Sequence, residues 1–305
     1  MEYGFAFFPG QGAQHTGMGR ELYEASAAAK AVFDQASEVA GIDVAALCFT
    51  GEQAELNRTV NSQIAIFTHS LACLAALQEA GMTFRACAGF SLGEYTALTA
   101  SGILSVADGI RLVRRRGQLM QEAADAMDGC MAAILGLDDE SIEQICAQVS
   151  GIVRPVNYNC PGQLVIAGER SAVDQAVEAC KAAGARRAMQ LAVSGAFHTP
   201  LMDGAAKALR AFAQDLTFHT PTMPVYTNVT GGKLTLDDMP AHLETHMVSP
   251  VRWKALVANG MADGLMSGIE IGPGKTLTGF AKKISKDLRV IAVETPDGVA
   301  TAAQG

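Results

Sequence analysis

The sequence predicts an α/β fold interrupted by a smaller subdomain of different topology, and three observations carry that expectation. The opening of the chain alternates short apolar strands with helical stretches. The pentapeptide Gly89-Phe90-Ser91-Leu92-Gly93 falls between a predicted strand and a predicted helix. From about residue 127 to residue 194 the order changes to strand, helix, strand, strand, helix, strand, the ferredoxin-like arrangement.

The elements follow in chain order. Residues 3–8 (YGFAFF) form an apolar strand, 10–12 a glycine turn, and 20–41 a helical stretch rich in alanine and glutamate. Residues 62–80 read as a buried helix, 85–90 as a strand and 92–101 as a helix, so Ser91 stands where a strand turns into a helix. Ser105 and Asp108 open the next helix as a capping box. Val106, Ile110, Val113, Gly117 and Met120 mark its inward stripe at alternating steps of four and three. In the subdomain, strands are expected at 131–137, 153–157, 164–167 and 187–193, with helices at 138–149 and 172–183. The α/β alternation then resumes with a helix at 201–216, a strand at 225–228, and a strand at 268–271. The last strand leads through Gly272-Pro273-Gly274 into a helix at 275–284, and the tail after Pro296 reads as frayed. Two units are therefore expected: a core of residues 1–126 and 196–305, and an insert of residues 127–195.

With 305 residues and 49% of them apolar, the chain can bury a full core. A formal charge of −8 gives no global attraction to nucleic acid or anionic membranes, so neither is expected as a partner. The seven cysteines are scattered through apolar stretches and never spaced as CxxC, which argues against a disulfide framework or zinc ribbon and points to a reducing cytoplasm. No secretory leader is evident at the N-terminus. Apolar runs such as 71–77 are interrupted by polar residues short of the ~20 a membrane span needs, and a soluble monomer is expected.

The strand–turn–helix setting of GxSxG is what a nucleophile elbow demands. Glycines on both sides relieve crowding, the Ser91 oxygen is pushed outward, and the Leu92 amide is free to donate to an oxyanion. A helix-capping serine in a glycine-rich turn is the plainer alternative. A serine nucleophile needs a base. Of six histidines, His198 is best placed, on a loop between a strand and a helix. His69 lies in an apolar helix and reads as a satisfied core histidine. His242 and His246 are four apart, but no third ligand is evident, and no metal is expected. Arg114, Arg115 and Arg116 form a charge run in which pattern alone singles out none; Arg115 faces away from the apolar stripe. Gly10-Gln11-Gly12 fails the dinucleotide fingerprint because His15 stands where its last glycine would be, and Gly274-Lys275-Thr276 fails as a P-loop because Ile269 takes the first glycine's place. Both are read as tight turns.

These residues resemble the malonyl-CoA:acyl carrier protein transacylases and the related acyltransferase domains of fatty acid and polyketide synthases. The likeness rests on ordered blocks: FPGQGAQ at 8–14, GFSLGEY at 89–95, RRGQLMQEA at 115–123, NYNCPGQLVIAG at 157–168, SGAFHTPLM at 194–202, SPVRW at 249–253 and EIGPGKTL at 270–277. The resemblance implies an α/β-hydrolase-like core with a mostly parallel sheet and the insert walling one side of the cleft. It makes Ser91 the nucleophile, His198 its base, the amides of Gln11 and Leu92 the oxyanion hole, and Arg116 the grip on a malonyl carboxylate. Phe197 resembles the malonyl-selective form of its loop, which disfavours a methyl branch. The implied reaction needs no cofactor: malonyl-CoA acylates Ser91, and the phosphopantetheine thiol of an acyl carrier protein then takes the acyl group. A backbone carbonyl, not a carboxylate, is expected to orient His198. Phe90 departs from the histidine usual in this family, removing a polar group from beneath the elbow. His246 replaces a glutamine whose contact is made through its carbonyl, and Asn159 joins these two as a neighbour of the site. Lys282, Lys283 and Lys286, or Arg186 and Arg187, are possible docking points for the acidic carrier protein. A serine acyl hydrolase using the same Ser91 and His198, and a docking module without catalysis, are the alternatives.

Overall fold

In the computed structural model of the chain, which describes residues 1–193 and 195–304, nine strands form two sheets. Ser194, within the loop expected to carry the base, lies outside the described residues. The larger sheet contains β1 (Glu2–Phe8), β2 (Thr83–Gly89), β7 (Val225–Tyr226), β8 (Ser267–Ile271) and β9 (Arg289–Val293) in the order β7-β2-β1-β8-β9. Every pairing is parallel, with Phe8 opposite Gly89 and Phe7 opposite Glu270. Central strands of such a sheet are covered on both faces, which is why β1 reads as a near-continuous apolar run from Phe5 to Phe8, all fully buried.

The smaller sheet is built from β3 (Gly129–Leu135), β4 (Val153–Cys160), β5 (Gln163–Glu169) and β6 (Arg187–Gln190) in the order β4-β5-β3-β6, all antiparallel. Two helices, Asp139–Gln148 and Arg170–Ala182, connect its strands and bury Ile142, Val173 and Val177 against Ile134 and Ile166. The first is capped by the Asp138 carboxylate, which accepts the Ser141 amide at 2.8 Å. The smaller sheet is tied by backbone bonds to the segment between the helices Met239–Val248 and Trp253–Ala262: Tyr158 N–H donates to the Val251 carbonyl (2.9 Å) and Val251 N–H to the Val156 carbonyl (2.8 Å).

Several helices differ from expectation. Ser26 breaks the 20–41 stretch into Arg20–Ala25 and Ala27–Ala40, because its hydroxyl caps the second helix by accepting from Ala29. The helix Thr59–Glu79 is, by length and composition, apolar enough to cross a membrane, contrary to the reading of its interrupted apolar runs; most of it is buried inside the protein, as the core helix of a globular fold is. The tail is not frayed. It forms the helix Pro296–Gln304, buries Ala302, and accepts the Tyr3 hydroxyl at the Ala302 carbonyl (3.1 Å). Ser105 caps Val106–Asp125 as its capping box predicts, accepting the Asp108 amide at 3.0 Å, and the stripe residues Ile110, Val113 and Met120 are buried.

Candidate active site

Strand β2 ends at Gly89 and the helix Leu92–Ala100 begins at Leu92, leaving Phe90 and Ser91 to make the whole turn. So sharp a turn brings backbones into contact. A Cβ on Gly89 would lie 1.8 Å from the Gly93 carbonyl carbon, and one on Gly93 would lie 2.1 Å from the Phe8 oxygen, so no larger residue fits either position. Ser91 itself is held at φ 51°, ψ −105°, a strained conformation for a residue with a side chain. Asn228, just past β7, fixes it: its Oδ1 accepts the Ser91 amide and its Nδ2 donates to the Gly89 carbonyl, both at 2.7 Å.

Ser91 Oγ lies 2.7 Å from His198 Nε2. The other ring nitrogen, Nδ1, is 2.9 Å from the Ser249 carbonyl and 3.2 Å from the His246 carbonyl. Carbonyls only accept, so Nδ1 carries the proton and Nε2 presents its lone pair to the serine hydroxyl. Burial, reinforced by the positive charge of Arg116, lowers His198 to about 4, which keeps the ring neutral and able to take a proton. Among the described residues no side-chain carboxylate takes part in holding Nδ1.

Arg116 projects from Val106–Asp125 and is fully buried, whereas Arg114 and Arg115 are only partly so. Its Nη2 donates to Ser91 Oγ (3.3 Å), its Nη1 to Gln63 Oε1 (2.8 Å), and its guanidinium lies 4.7 Å over the Tyr95 ring. Nε has no partner, and among the described residues no carboxylate pairs with this cation. Buried charge is costly unless it is paired.

A small cavity of about 80 Å³ opens at Ser91 and His198 and is walled by Phe197, Met120 and Met131. Beyond it lies a chamber of about 460 Å³ between the two sheets, which shares Gln11, Phe90 and Asn157 with the inner cavity. Gly10 packs its Cα against the Phe90 carbonyl, where a Cβ would come within 2.4 Å, and this seats the Gln11 loop directly over the elbow. Leu92 heads its helix, so its amide has no partner within the helix. Asn159 Oδ1 and Asn157 Oδ1 are buried beside the chamber without a hydrogen-bond partner. A larger open groove of about 980 Å³, around Tyr23, Glu38 and Phe49, holds none of these groups.

Phe90 lines both the chamber and the inner cavity, half-buried, with its ring 5.7 Å from Trp253 and 6.1 Å from Phe280. The chain matches the acyl transferase domain family over residues 6–297. It is 43% identical over 301 residues to the malonyl CoA-acyl carrier protein transacylase of Bacillus subtilis, covering 97% of this chain and 95% of that one. The chain belongs to the malonyl-CoA:acyl carrier protein transacylases.

A second family member, from Escherichia coli, is 42% identical over 98% of both chains. Among solved structures, a malonyl-transacylase in complex with its type II polyketide synthase acyl carrier protein superposes with a TM-score of 0.95 at 42% identity over 99% of both chains. The malonyl-CoA:acyl carrier protein transacylase of Xanthomonas oryzae gives 0.94 at 41% identity, over 98% of this chain and 97% of that one. The fold of this family is thus the mixed α/β architecture described above, with a parallel and an antiparallel sheet.

Sequence reasoning missed several groups that the fold brings to this transacylase site. Glu94, in the apolar start of the helix after the elbow, is buried and receives Asn228 N–H at 2.6 Å, Thr227 Oγ–H at 2.9 Å and His242 Nε2–H at 2.7 Å. His246 Nε2 lies 3.5 Å from its other side. His242 and His246 therefore converge on a carboxylate, and among the described residues no group of three or more His, Cys, Asp or Glu side chains is arranged to hold a metal ion. Gln63 and Ser249 were also missed. A lone carboxylate or amide in an apolar helix was the available signal for Glu94 and Gln63; the Ser249 carbonyl left none. His69 is buried as expected but only half satisfied, with Nε2 3.2 Å from the Glu294 carbonyl and Nδ1 unpartnered.

Proposed function

We propose that the enzyme moves a malonyl group from malonyl-CoA to the phosphopantetheine thiol of an acyl carrier protein through an ester on Ser91. The observation that carries this reading is the buried, carboxylate-free Arg116 guanidinium 3.3 Å from Ser91 Oγ. A diacid thioester brings the missing counter-charge, and a planar guanidinium receives a carboxylate through two parallel bonds.

His198 Nε2 takes the Ser91 proton as Oγ attacks the thioester carbonyl. The Gln11 and Leu92 amides receive the oxyanion, and the intermediate collapses with coenzyme A thiolate leaving, protonated by His198. The carrier-protein thiol then gives its proton to His198, attacks the malonyl ester, and Ser91 departs as the alcohol. The inner cavity of about 80 Å³ suits a three-carbon acyl group, and the Phe197 ring on its wall disfavours an α-methyl branch. The unpartnered Asn157 and Asn159 oxygens suit the amide N–H groups of a pantetheine arm in the outer chamber. Residues 127–195 act as the inserted unit that closes this chamber. Lys282 and Lys283, exposed on the helix that also lines the chamber through Phe280, suit an acidic carrier protein. The reaction requires no cofactor, and a cytoplasmic setting suits seven reduced, buried cysteines.

The test is to mix the protein with malonyl-CoA and carrier protein, and to follow the Ser91 peptide mass, malonyl-carrier protein and free malonate together. A malonyl adduct on Ser91 that passes to the carrier protein is expected. Dominant release of malonate would make the enzyme a hydrolase, and the lack of any adduct would end the reading.

A further inference from the structure

We propose that Glu94 is a positioning residue for acylation, acting through Asn228 to hold the nucleophile elbow in its strained shape. The inference rests on the reading of Ser91 as the nucleophile. Asn228 is the only side chain among the described residues that bonds both flanks of the elbow, accepting from Ser91 N–H and donating to Gly89 C=O. It stands beyond the two-residue strand β7, too short a ladder to fix it alone. What fixes it is its own main chain. Its N–H donates to Glu94 Oε2 at 2.6 Å, and its carbonyl accepts the Arg252 amide at 3.1 Å.

Glu94 is in turn immobilised. Thr227 and His242 both donate to Oε1, His246 lies against Oε2, and the side chain is 1% exposed. Burial opposes its ionisation, yet the His246 and His242 imidazoles and the Asn228 amide outweigh it and hold the carboxyl at about 2. A buried carboxylate with this many donors is a costly device for holding one loop. Its site explains it: Glu94 lies on the first turn of the helix that the elbow feeds, three residues after Ser91. The carboxylate closes a ring from Ser91 through Asn228 and back to the same helix. Errors of about 1 Å in a reacting atom cost on the order of a hundredfold, so the ring matters to rate more than to affinity.

The experiment measures single-turnover acylation of Ser91 and the malonyl-CoA KM for Glu94→Ala, Glu94→Gln, Asn228→Ala and the double variant Glu94→Ala/Asn228→Ala, with melting temperatures alongside. Expected are rate losses of about 10- to 100-fold for both alanine variants, below the roughly 10²–10⁴-fold span for losing a general base, with KM within about twofold. The double variant should be no slower than the slower single one, since both break one ring. Glu94→Gln, which keeps an oxygen for the Asn228 amide, should recover part of the rate and covers the case in which Glu94→Ala fails to fold. Additive losses, a rise in KM at unchanged rate, or full activity in a folded Glu94 variant would overturn the proposal. Failure of the unaltered enzyme to form the Ser91 ester would instead overturn the function on which it rests.

Discussion

Ser91 and His198 are the only non-glycine residues with positive φ among the described residues, at 51° and 63°, and they are hydrogen-bonded to each other at 2.7 Å. Backbone strain of this kind costs on the order of 1–3 kcal/mol per residue and survives only where the surroundings enforce it. Here both strained residues meet in a single side-chain hydrogen bond.

Substituting His198 by alanine removes the proton acceptor while leaving the elbow intact. Acylation of Ser91 should slow by roughly 10²–10⁴-fold with little change in melting temperature. Rapid-quench mass spectrometry of the Ser91 peptide reads this directly, and a loss under about threefold would remove His198 from the role of base.

Arg116 separates binding from chemistry. In Arg116→Ala, the preference for malonyl over acetyl thioesters should collapse while Ser91 still acylates. Arg116→Lys should restore charge without the paired bonds and recover only part of the preference. Competition between the two donors, scored by adduct mass, checks both variants; unchanged selectivity in the alanine variant would contradict the assignment.

Phe197 is buried against the inner cavity, where Gly195 leaves space for its ring. Trimming it in Phe197→Ala should widen the cavity and raise the ratio of methylmalonyl to malonyl transfer by about tenfold, the scale of one or two methylene contacts in a pocket. The ratio from mixed-donor assays is the measurement.

Acid should unfold this enzyme before it silences the base. His198 and His69 are each pushed down to about 4, in both cases with burial as the leading cause. Unfolded histidines titrate near 6.5, so as pH falls below that value the unfolded chain gains protons that the native state refuses. Stability present above pH 6.5 is therefore lost towards pH 4, by up to about 1.4 kcal/mol per pH unit for each ring. Glu94, held at about 2 against an unfolded value of 4.5, adds loss in the same direction below pH 4.5. Melting temperatures from pH 8 to 4 should drop steeply below 6.5, while acylation by the folded enzyme holds to about pH 5. A flat melting curve across that range would contradict the burial of neutral imidazoles.

How much of this was legible in the sequence follows from the range of the interactions. The elbow was legible because its constraints are local: Gly89 and Gly93 are excluded from being anything larger by atoms within a few residues or on the adjacent strand, and strand, turn and helix signals flank Ser91 directly. The βαββαβ order of the insert and the Ser105 cap were readable for the same reason. The C-terminal helix was misread because its stability comes from Ala302 packing and the Tyr3 bond, made 299 residues away. The surroundings of Phe90 were not legible because Trp253 and Phe280 reach it from distant parts of the chain.

The sequence by itself determined the alternation of strands and helices, the turn that carries Ser91 and, by its ordered motifs, the family. Residue pattern singled out none of the three arginines, and the resemblance only implied Arg116 and a carbonyl for His198; the tertiary structure decided that Arg116 alone of the three is fully buried beside the serine, that the Ser249 and His246 carbonyls face Nδ1, and that Glu94 anchors Asn228. The physical reason is that backbone preferences act between neighbours in the chain. Burial, charge pairing and hydrogen-bond geometry act between groups that become neighbours only when the two sheets and their helices pack.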